Sequence, residues 1–402
     1  MAITIDDIRA AHQRIAPHIY RSPCSYSLSL SRLCGCNVYC KLDHLQMTGS
    51  FKERGARNRL ELLSPEERQR GVVAVSAGNH AQGLAWQGSR MGIPVTVVMP
   101  VWASLPKVAN CRALGAEIFL HGDSMAIARI EAERLRDARN LVFIPPFDDD
   151  AIIAGQGTMA LEIIEDVPTV DTIVVPVGGG GLIAGIGIAL KALRPDAKLV
   201  GVEPRNAATL DAALKAGRPV PIQPLPTLGD GLALAQIGDR CFGPIQSTLD
   251  ELVLVDEAQI ATAVLRLMEL EKTVVEGSAS TVLAALLAQR AYFIGRTVVL
   301  VLSGGNIDVT QLGRIIERGL VAEGRLCRLT AAISDLPGSL WKVLQVVAMT
   351  GASVRQVEHD RNFAPGDVSQ VAITLVLETR DREHITAVIA ALARAGVACT
   401  AQ

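Results

Sequence analysis

The sequence has 402 residues, more than one ordinary domain holds, and 49% of them are hydrophobic, enough for a large core. Its formal net charge is −2, which indicates neither a nucleic acid nor an anionic membrane as a partner. The first predicted element is an amphipathic helix over Met1–Ile15, and its charges at Asp6, Asp7 and Arg9 argue against a secretory signal. The eight cysteines are therefore expected to be reduced, which predicts a cytoplasmic protein.

Between about residues 70 and 310, apolar strands alternate with helices, which predicts a parallel α/β sheet. The predicted strands are Gly71–Ser76, Val95–Met99, Ala116–Leu120, Thr172–Val177, Lys198–Val202 and Val298–Leu302, and the predicted helices are Ala81–Met91, Leu105–Leu114, Asp123–Arg139 and Leu182–Leu193. The stretch Thr172–Leu190 has no charge. However, Pro176 and the four glycines Gly178–Gly181 interrupt it, which favours a strand, a turn and a buried helix over a membrane span.

The pattern changes after about Gly324. The predicted strands there are Arg325–Ile333, Val354–Asp360, Val368–Thr379 and Val397–Ala401, and the predicted helices are Ser339–Met349 and Arg382–Arg394. The order strand-helix-strand-strand-helix-strand predicts a separate ferredoxin-like α+β domain.

A lysine with unusual surroundings lies in the segment Thr48–Ala56, TGSFKERGA. Lys52 follows Gly49 and Ser50 at the predicted start of a helix, where the helix dipole disfavours an ammonium group. Arg54 adds positive charge, and both effects are expected to lower the pKa of Lys52 toward the neutral amine that a Schiff base needs. The alternative is a solvated surface lysine.

A glycine-rich turn joins a strand to a helix within Asp171–Ala184. The backbone N–H groups of Gly178–Gly181 and the helix N-terminus could together hold a phosphate. The pattern Gly179-x-Gly181-x-x-Ala184 also satisfies a dinucleotide fingerprint, and Glu203 has the spacing of its ribose-binding acid. This segment alone leaves a phosphate-bearing cofactor and a nicotinamide dinucleotide open.

Two further polar turns follow predicted strands. The turn in Val75–Gly83 could bind a carboxylate, and Asn79 there could either bind a cofactor hydroxyl or cap the helix. In Val301–Asn306, Ser303 lies at the carboxyl end of a strand, where parallel sheets place ligand sites. Four such turns indicate one shared site.

Taken in this order, SFKERGA, SAGNHAQG, GGGGL and SGGN resemble the serine/threonine dehydratase family of fold-type II pyridoxal-phosphate enzymes, and most of all the biodegradative threonine ammonia-lyases (threonine dehydratases). The resemblance covers roughly residues 5–320. It implies a two-lobed catalytic domain, tryptophan synthase β-like, over residues 1–323, with a smaller lobe at about 48–150 inserted in the larger one. The tail, through Asp335–Leu340, resembles an ACT regulatory domain over residues 325–402.

The resemblance implies that the cofactor is pyridoxal 5′-phosphate (PLP) and that Lys52 is the catalytic Schiff-base lysine. The implied cofactor-binding residues are Phe51, Lys52, Asn79, Gly178, Gly179, Gly180, Gly181, Leu182 and Ser303, and the implied substrate-binding residues are Ser76, Gly78, Asn79 and His80. A cation site of some relatives matches at Glu203 and Ala207, but Thr209 replaces an aspartate. That difference favours a monovalent cation or none over a tightly held divalent one.

The implied activity converts L-threonine to 2-oxobutanoate and ammonia, and L-serine to pyruvate, in a homodimer or homotetramer without nucleic-acid or membrane partners. Isoleucine or valine is the expected effector of the ACT-like domain, and a dimerisation module without an effector is the alternative. Serine racemase and hydroxyaspartate ammonia-lyase remain alternatives within the family. Ala77 favours a lyase over a racemase because it replaces the racemase serine, whereas Ser278 and Ser280 add hydroxyls that relatives often lack. A nicotinamide-dependent oxidoreductase would leave Lys52 without a role.

Overall fold

The computed structural model describes residues 3–361 and 369–401. The chain divides into two compact units, Met1–Ile307 and Asp308–Gln402. This division lies before the boundary predicted near residue 324, because the helix Val309–Ala322 groups with the second unit. Each unit has a hydrophobic core of its own.

The first unit contains ten strands and fourteen α-helices among its described residues. The strands are β1 (Cys24–Tyr26), β2 (Asn37–Lys41), β3 (Val72–Val75), β4 (Val95–Met99), β5 (Glu117–Leu120), β6 (Val142–Phe143), β7 (Thr172–Pro176), β8 (Lys198–Pro204), β9 (Glu251–Val255) and β10 (Thr297–Val301). The helices are α1 (Ile5–Ile15), α2 (Leu28–Cys34), α3 (Lys52–Glu61), α4 (Pro65–Arg70), α5 (Asn79–Met91), α6 (Leu105–Ala113), α7 (Met125–Arg139), α8 (Asp150–Asp166), α9 (Gly181–Leu193), α10 (Thr209–Ala216), α11 (Asp239–Thr248), α12 (Glu257–Glu271), α13 (Gly277–Ala288) and α14 (Arg290–Phe293).

These strands form two sheets rather than the single sheet that their alternation with helices suggested. The larger has the order β1-β2-β10-β7-β8-β9 and is parallel except for β1, which pairs antiparallel with β2. The smaller has the order β5-β4-β3-β6 and is wholly parallel. Strands β4 and β7 are buried along their whole length, as parallel strands covered by helices on both faces should be. The two-lobed α/β fold class is confirmed.

Close helix packing sets the position of α3, the helix that begins at Lys52. A Cβ on Gly155 of α8 would lie 2.7 Å from the Cα of Gly55 in α3, and one on Gly157 would lie 2.8 Å from the carbonyl oxygen of Gly185 in α9. No side chain fits at either crossing, so the backbones of α3, α8 and α9 approach one another directly. The first turn of α3 is therefore held against the rest of the unit.

The second unit contains α15 (Val309–Ala322), β11 (Leu326–Ser334), α16 (Ser339–Met349), β12 (Ser353–Asp360), β13 (Gln370–Glu378), α17 (Arg382–Arg394) and β14 (Cys399–Ala401). Its antiparallel sheet has the order β12-β13-β11-β14. This is the predicted arrangement, in which two strand-helix-strand halves interleave. The predicted start of the third strand, Val368, lies outside the described residues. No described helix combines the length and the apolar character needed to cross a bilayer.

Candidate active site

The four turns identified in the sequence meet within the first unit. The amide of Phe51, just before Lys52, donates to the carbonyl of Ser303 at 3.0 Å. From the same turn as Ser303, the Nδ2 of Asn306 donates to Asn79 Oδ1 at 2.9 Å. The amine of Lys52 donates to the carbonyl of Pro146 at 2.8 Å. The ring of Phe147, the residue after Pro146, lies against the glycine turn that follows β7.

Lys52 is the first residue of α3, as predicted. Burial lowers the pKa of its amine to about 8, while Cys241 and Glu276 oppose that shift by favouring the charged form. The ring of Phe51 lies beneath the amine, 5.1 Å from Nζ to the ring centroid. A substantial fraction of the amine is therefore neutral, and nucleophilic, at mildly alkaline pH.

The prediction that Arg54 depresses the Lys52 pKa is wrong. Arg54 is buried and binds two carboxylates, with its Nε 2.7 Å from Asp43 Oδ2 and its Nη1 2.6 Å from Glu162 Oε1. The buried amine of Lys41 lies 2.6 Å from Glu162 as well, so two cations face two anions. Because those partners neutralise its charge, Arg54 holds α3 in place rather than acting on Lys52.

The glycine turn between β7 and α9 leaves no room for side chains. A Cβ on Gly179 would lie 2.4 Å from the ring of Phe147, and one on Gly180 would lie 2.8 Å from Ile237 Cδ1. Gly180 also has a φ of +95°, a conformation that favours glycine. The only groups that this turn offers a ligand are thus backbone amides at the N-terminus of α9, an arrangement that suits a phosphate.

The turn after β3 carries the predicted substrate-binding residues. The amide of Gly78 donates to Ser76 Oγ at 3.2 Å. The ring Nε2 of His80 lies 3.2 Å from the carbonyl oxygen of Ile144. Burial, with a smaller contribution from Lys52, lowers the pKa of His80 to about 3. The imidazole is therefore neutral, and any carboxylate bound here must rely on amides and hydroxyls.

Asn79 is the first residue of α5, and Gly78 is the N-cap of this helix. The interpretation of Asn79 as the helix cap is therefore wrong. The Nδ2 of Asn79 instead donates to Glu276 Oε1 at 2.9 Å. The sequence pattern drew attention to Ser278 and Ser280 but not to Glu276, so this contact was not predicted. Ser278 Oγ accepts from the amide of Gly231 at 2.9 Å, and Ser280 Oγ donates to the carbonyl of Glu276 at 2.9 Å. The two added hydroxyls thus bind backbone groups.

Glu203 is fully buried at the end of β8. Its carboxylate accepts hydrogen bonds at the N-terminus of α10 from Thr209 Oγ1, at 3.0 Å, and from the amides of Leu210 and Asp211, at 2.7 and 3.0 Å. These contacts occupy the carboxylate that a dinucleotide ribose would need. A cation at Glu203 and Ala207 stays a prediction; within residues 3–361 and 369–401, no three His, Cys, Asp or Glu side chains cluster as metal ligands.

Residues 15–304 match the family model described as pyridoxal-phosphate dependent enzyme, and the chain belongs to that family. The predicted resemblance to pyridoxal-phosphate enzymes and the PLP requirement are thereby confirmed, and the nicotinamide alternative is excluded. The chain is 44% identical to the L-threonine ammonia-lyase of Thermotoga maritima over 383 residues, and these residues make up 95% of each chain. It is similar to the solved threonine deaminase isoform 2 of Solanum lycopersicum, with a TM-score of 0.75, 35% identity, and coverage of 78% of this chain and 86% of that one. It is also similar to the serine racemase of Dictyostelium discoideum, with a TM-score of 0.72, 35% identity, and coverage of 76% and 99%.

The residues present fit PLP. The cofactor has a phosphate and an aldehyde, and the site offers a cradle of backbone amides for the first and a partly neutral amine, that of Lys52, for the second. The Gly178–Gly181 turn contains no lysine or arginine, so the amides and the dipole of α9 would neutralise the phosphate.

Proposed function

We propose that this protein is an L-threonine ammonia-lyase that converts L-threonine to 2-oxobutanoate and ammonia and also accepts L-serine. The observation that carries the proposal is the buried amine of Lys52 beside the glycine turn, in a chain 44% identical to an L-threonine ammonia-lyase along nearly its whole length. The site roles assigned to individual residues below belong to this proposal.

Lys52 performs the proton transfer in the proposed reaction. When bound, PLP supplies an electron sink that lets bonds at the substrate Cα break. With the cofactor and substrate bound, the Nζ of Lys52 would take the Cα proton of the substrate. The β-hydroxyl would leave as water by taking up a proton that balances the one removed from Cα, and hydrolysis of the resulting unsaturated amine by a water molecule would give 2-oxobutanoate and ammonia.

The surrounding residues bind and orient the two molecules. The amides of Gly178–Gly181 and Leu182 would hold the phosphate, and Asn79 would donate to the ring hydroxyl. The turn Ser76–His80 receives the substrate carboxylate. Ser303 would face the ring nitrogen, where a hydroxyl, unlike a carboxylate, would not hold a proton on that nitrogen. The weaker electron sink that results favours elimination over transamination.

Formation of the covalent linkage by the apoprotein is expected to depend on pH with a midpoint near 8, the pKa of Lys52. Only the neutral amine attacks an aldehyde, so the rate should fall as pH decreases below that value and level off above it. Stopped-flow absorbance after mixing apoprotein with PLP measures this rate. A midpoint near 10.5, the ordinary value for lysine, would contradict the proposed environment of the amine.

Serine racemase is the second candidate, because a solved serine racemase shares this fold at 35% identity. Racemisation requires an acid/base group on the opposite face of the substrate Cα, and the methyl group of Ala77 cannot exchange a proton there. A panel of L-threonine, L-serine, D-serine and 3-hydroxyaspartate, followed by 2-oxo acid detection and chiral chromatography, distinguishes the candidates. Fast 2-oxobutanoate formation without D-serine supports the lyase; D-serine as the main product of L-serine would refute it.

The second unit has a polar cavity of about 520 Å³ that suits an amino acid. Asp335 and Arg361 line it and form an ion pair at 3.0 Å, beside Gly338, which precedes α16 with a φ of +87°. The pair offers both charges that a zwitterion needs, and the α16 N-terminus favours a carboxylate. This supports the proposal that the unit is an ACT-like regulatory domain for a branched-chain amino acid. Titration of the full chain with isoleucine and valine tests it; activity that stays constant would remove it.

A further inference from the structure

A directed chain of side-chain hydrogen bonds ends on Glu276. The Nδ2 of Asn306 donates both to the carbonyl of Thr48, at 2.7 Å, and to Asn79 Oδ1, at 2.9 Å. The Nδ2 of Asn79 then donates to Glu276 Oε1 at 2.9 Å. The chain joins the segment before Lys52, the start of α5, the turn after β10 and the residue before α13. It therefore connects three of the four turns that form the site.

The two ends of this chain determine which way each amide points. A backbone carbonyl only accepts, so Asn306 must present its NH₂ group to Thr48. An ionised carboxylate likewise only accepts, so Asn79 must present its NH₂ group to Glu276 and its oxygen to Asn306. Each Nδ2 has two hydrogens. Asn306 uses both of its own, whereas Asn79 uses one and keeps the other for a further acceptor.

The backbone is shaped to admit the Glu276 carboxylate at this point. The amide of Glu276 donates to the carbonyl of Gly304 at 3.0 Å. A Cβ on Gly304 would lie 2.3 Å from Glu276 Oε1 and 3.2 Å from Asn79 Nδ2. Only glycine lets the carboxylate and the amide meet there, and Glu276 itself is buried. The contact is thus part of the interior of the site and not a surface pairing.

We propose that Glu276 is a positioning residue that fixes the Asn79 side chain as a hydrogen-bond donor to the ring hydroxyl of PLP. This inference rests on the proposed function, in which Asn79 binds that hydroxyl. Protonation of Glu276 makes it a possible donor and removes the constraint on Asn79, so the orientation of the amide follows the charge state of Glu276.

The charge state of Glu276 changes in the neutral range. Burial raises its pKa to about 7, and the negative charge of Asp230 adds to the rise, while the hydrogen bond from Asn79 and the charge of Lys107 lower it. The amine of Lys52 also interacts with this carboxylate. Asp230 and Lys107 form an ion pair at 3.4 Å, and both are partly exposed. The carboxylate, and the constraint on Asn79, are therefore present above about pH 7 and are lost below it.

The test compares the holoenzyme with Glu276→Gln by recording absorbance and fluorescence of the bound cofactor from acidic to alkaline pH. The wild type is expected to show a spectral transition near pH 7 that Glu276→Gln lacks. The variant should also release PLP about tenfold more readily. The hydrogen bond from Asn79 to the charged Glu276 carboxylate is lost, so Asn79 is no longer held as a donor to the ring hydroxyl. Glu257→Gln is the matched control: its Oε2 accepts from the Leu228 amide and not from Asn79, so this variant should keep the transition.

Two charge variants keep the test decisive if Glu276→Gln folds poorly. Asp230→Asn removes a charge that raises the Glu276 pKa, so the transition should move to lower pH. Lys107→Ala removes a charge that lowers this pKa, so the transition should move to higher pH. Each shift should be a fraction of a pH unit, because solvent screens both charges. An unchanged transition in Glu276→Gln, or in both charge variants, would overturn the inference. A wild type in which borohydride fixes no PLP on the chain would instead overturn the proposed function itself.

Discussion

Lys52→Ala is expected to abolish turnover of L-threonine and the absorbance of the covalently bound cofactor. The variant loses both the nucleophile that forms the linkage and the base that takes the Cα proton. Proton transfer alone contributes about 10²–10⁴-fold to the rate, and loss of covalent attachment adds to this. Because Lys52 Nζ makes a single hydrogen bond within the described part of the chain, to the carbonyl of Pro146, the fold should tolerate the change. Assays for 2-oxobutanoate and a cofactor absorbance spectrum measure the two losses.

Lys52→Arg is the matched control for charge and size. A guanidinium stays protonated in proteins and cannot attack an aldehyde, so this variant should be as inactive as Lys52→Ala. Addition of a small primary amine to Lys52→Ala should restore part of the activity, because the free amine can take the Cα proton in the space left by the side chain. Activity near the wild-type level in either variant would contradict the assignment of Lys52.

Gly179→Val is expected to weaken PLP binding by about 10²-fold or more. Even a methyl group on Gly179 would lie 2.4 Å from the Phe147 ring, so the ring or the turn must move. Overpacking of this kind costs about 1–3 kcal/mol, and valine adds two further methyl groups. Any shift of the turn also misaligns the amides that hold the phosphate. The dissociation constant of PLP, measured by fluorescence on the apoprotein, tests the prediction.

Gly243→Ala is the control for adding a side chain near this turn. Gly243 lies in α11, and a Cβ there would meet no atom within 4 Å. Alanine should leave PLP binding unchanged, and as a better helix former it should leave stability equal or slightly higher. If Gly179→Val binds PLP as tightly as Gly243→Ala does, the glycine turn does not hold the phosphate.

The sequence predicts the elements and the turns because both depend on short-range patterns. The apolar strand and the glycines after it at Gly178–Gly181 are visible in the sequence, and in the structure they form β7 and the turn that leads into α9. The helix that begins at Lys52 was predicted for the same reason. The helix α8 was not predicted: it is buried on nearly every side and has little polar periodicity to reveal it.

Interactions between distant segments are what local patterns miss. Arg54 is two residues from Lys52 in sequence, yet its charge is neutralised by Glu162, more than a hundred positions away. Glu276 is similarly remote from Asn79, and no local motif connects the two. The first pairing depends on how β2, α3 and α8 pack together. The second depends on the relative positions of α5 and α13. The division into two sheets could be expected only from the family resemblance.

Reduction of the holoenzyme with borohydride, followed by proteolysis and mass spectrometry, tests the central assignment most directly. Reduction makes the bond between lysine and cofactor permanent, so the modified peptide identifies the attachment site. We expect the whole of the label on Lys52, in the peptide that contains Ser50-Phe51-Lys52. Label on any other lysine, or a holoenzyme in which no peptide is labelled, would contradict the account.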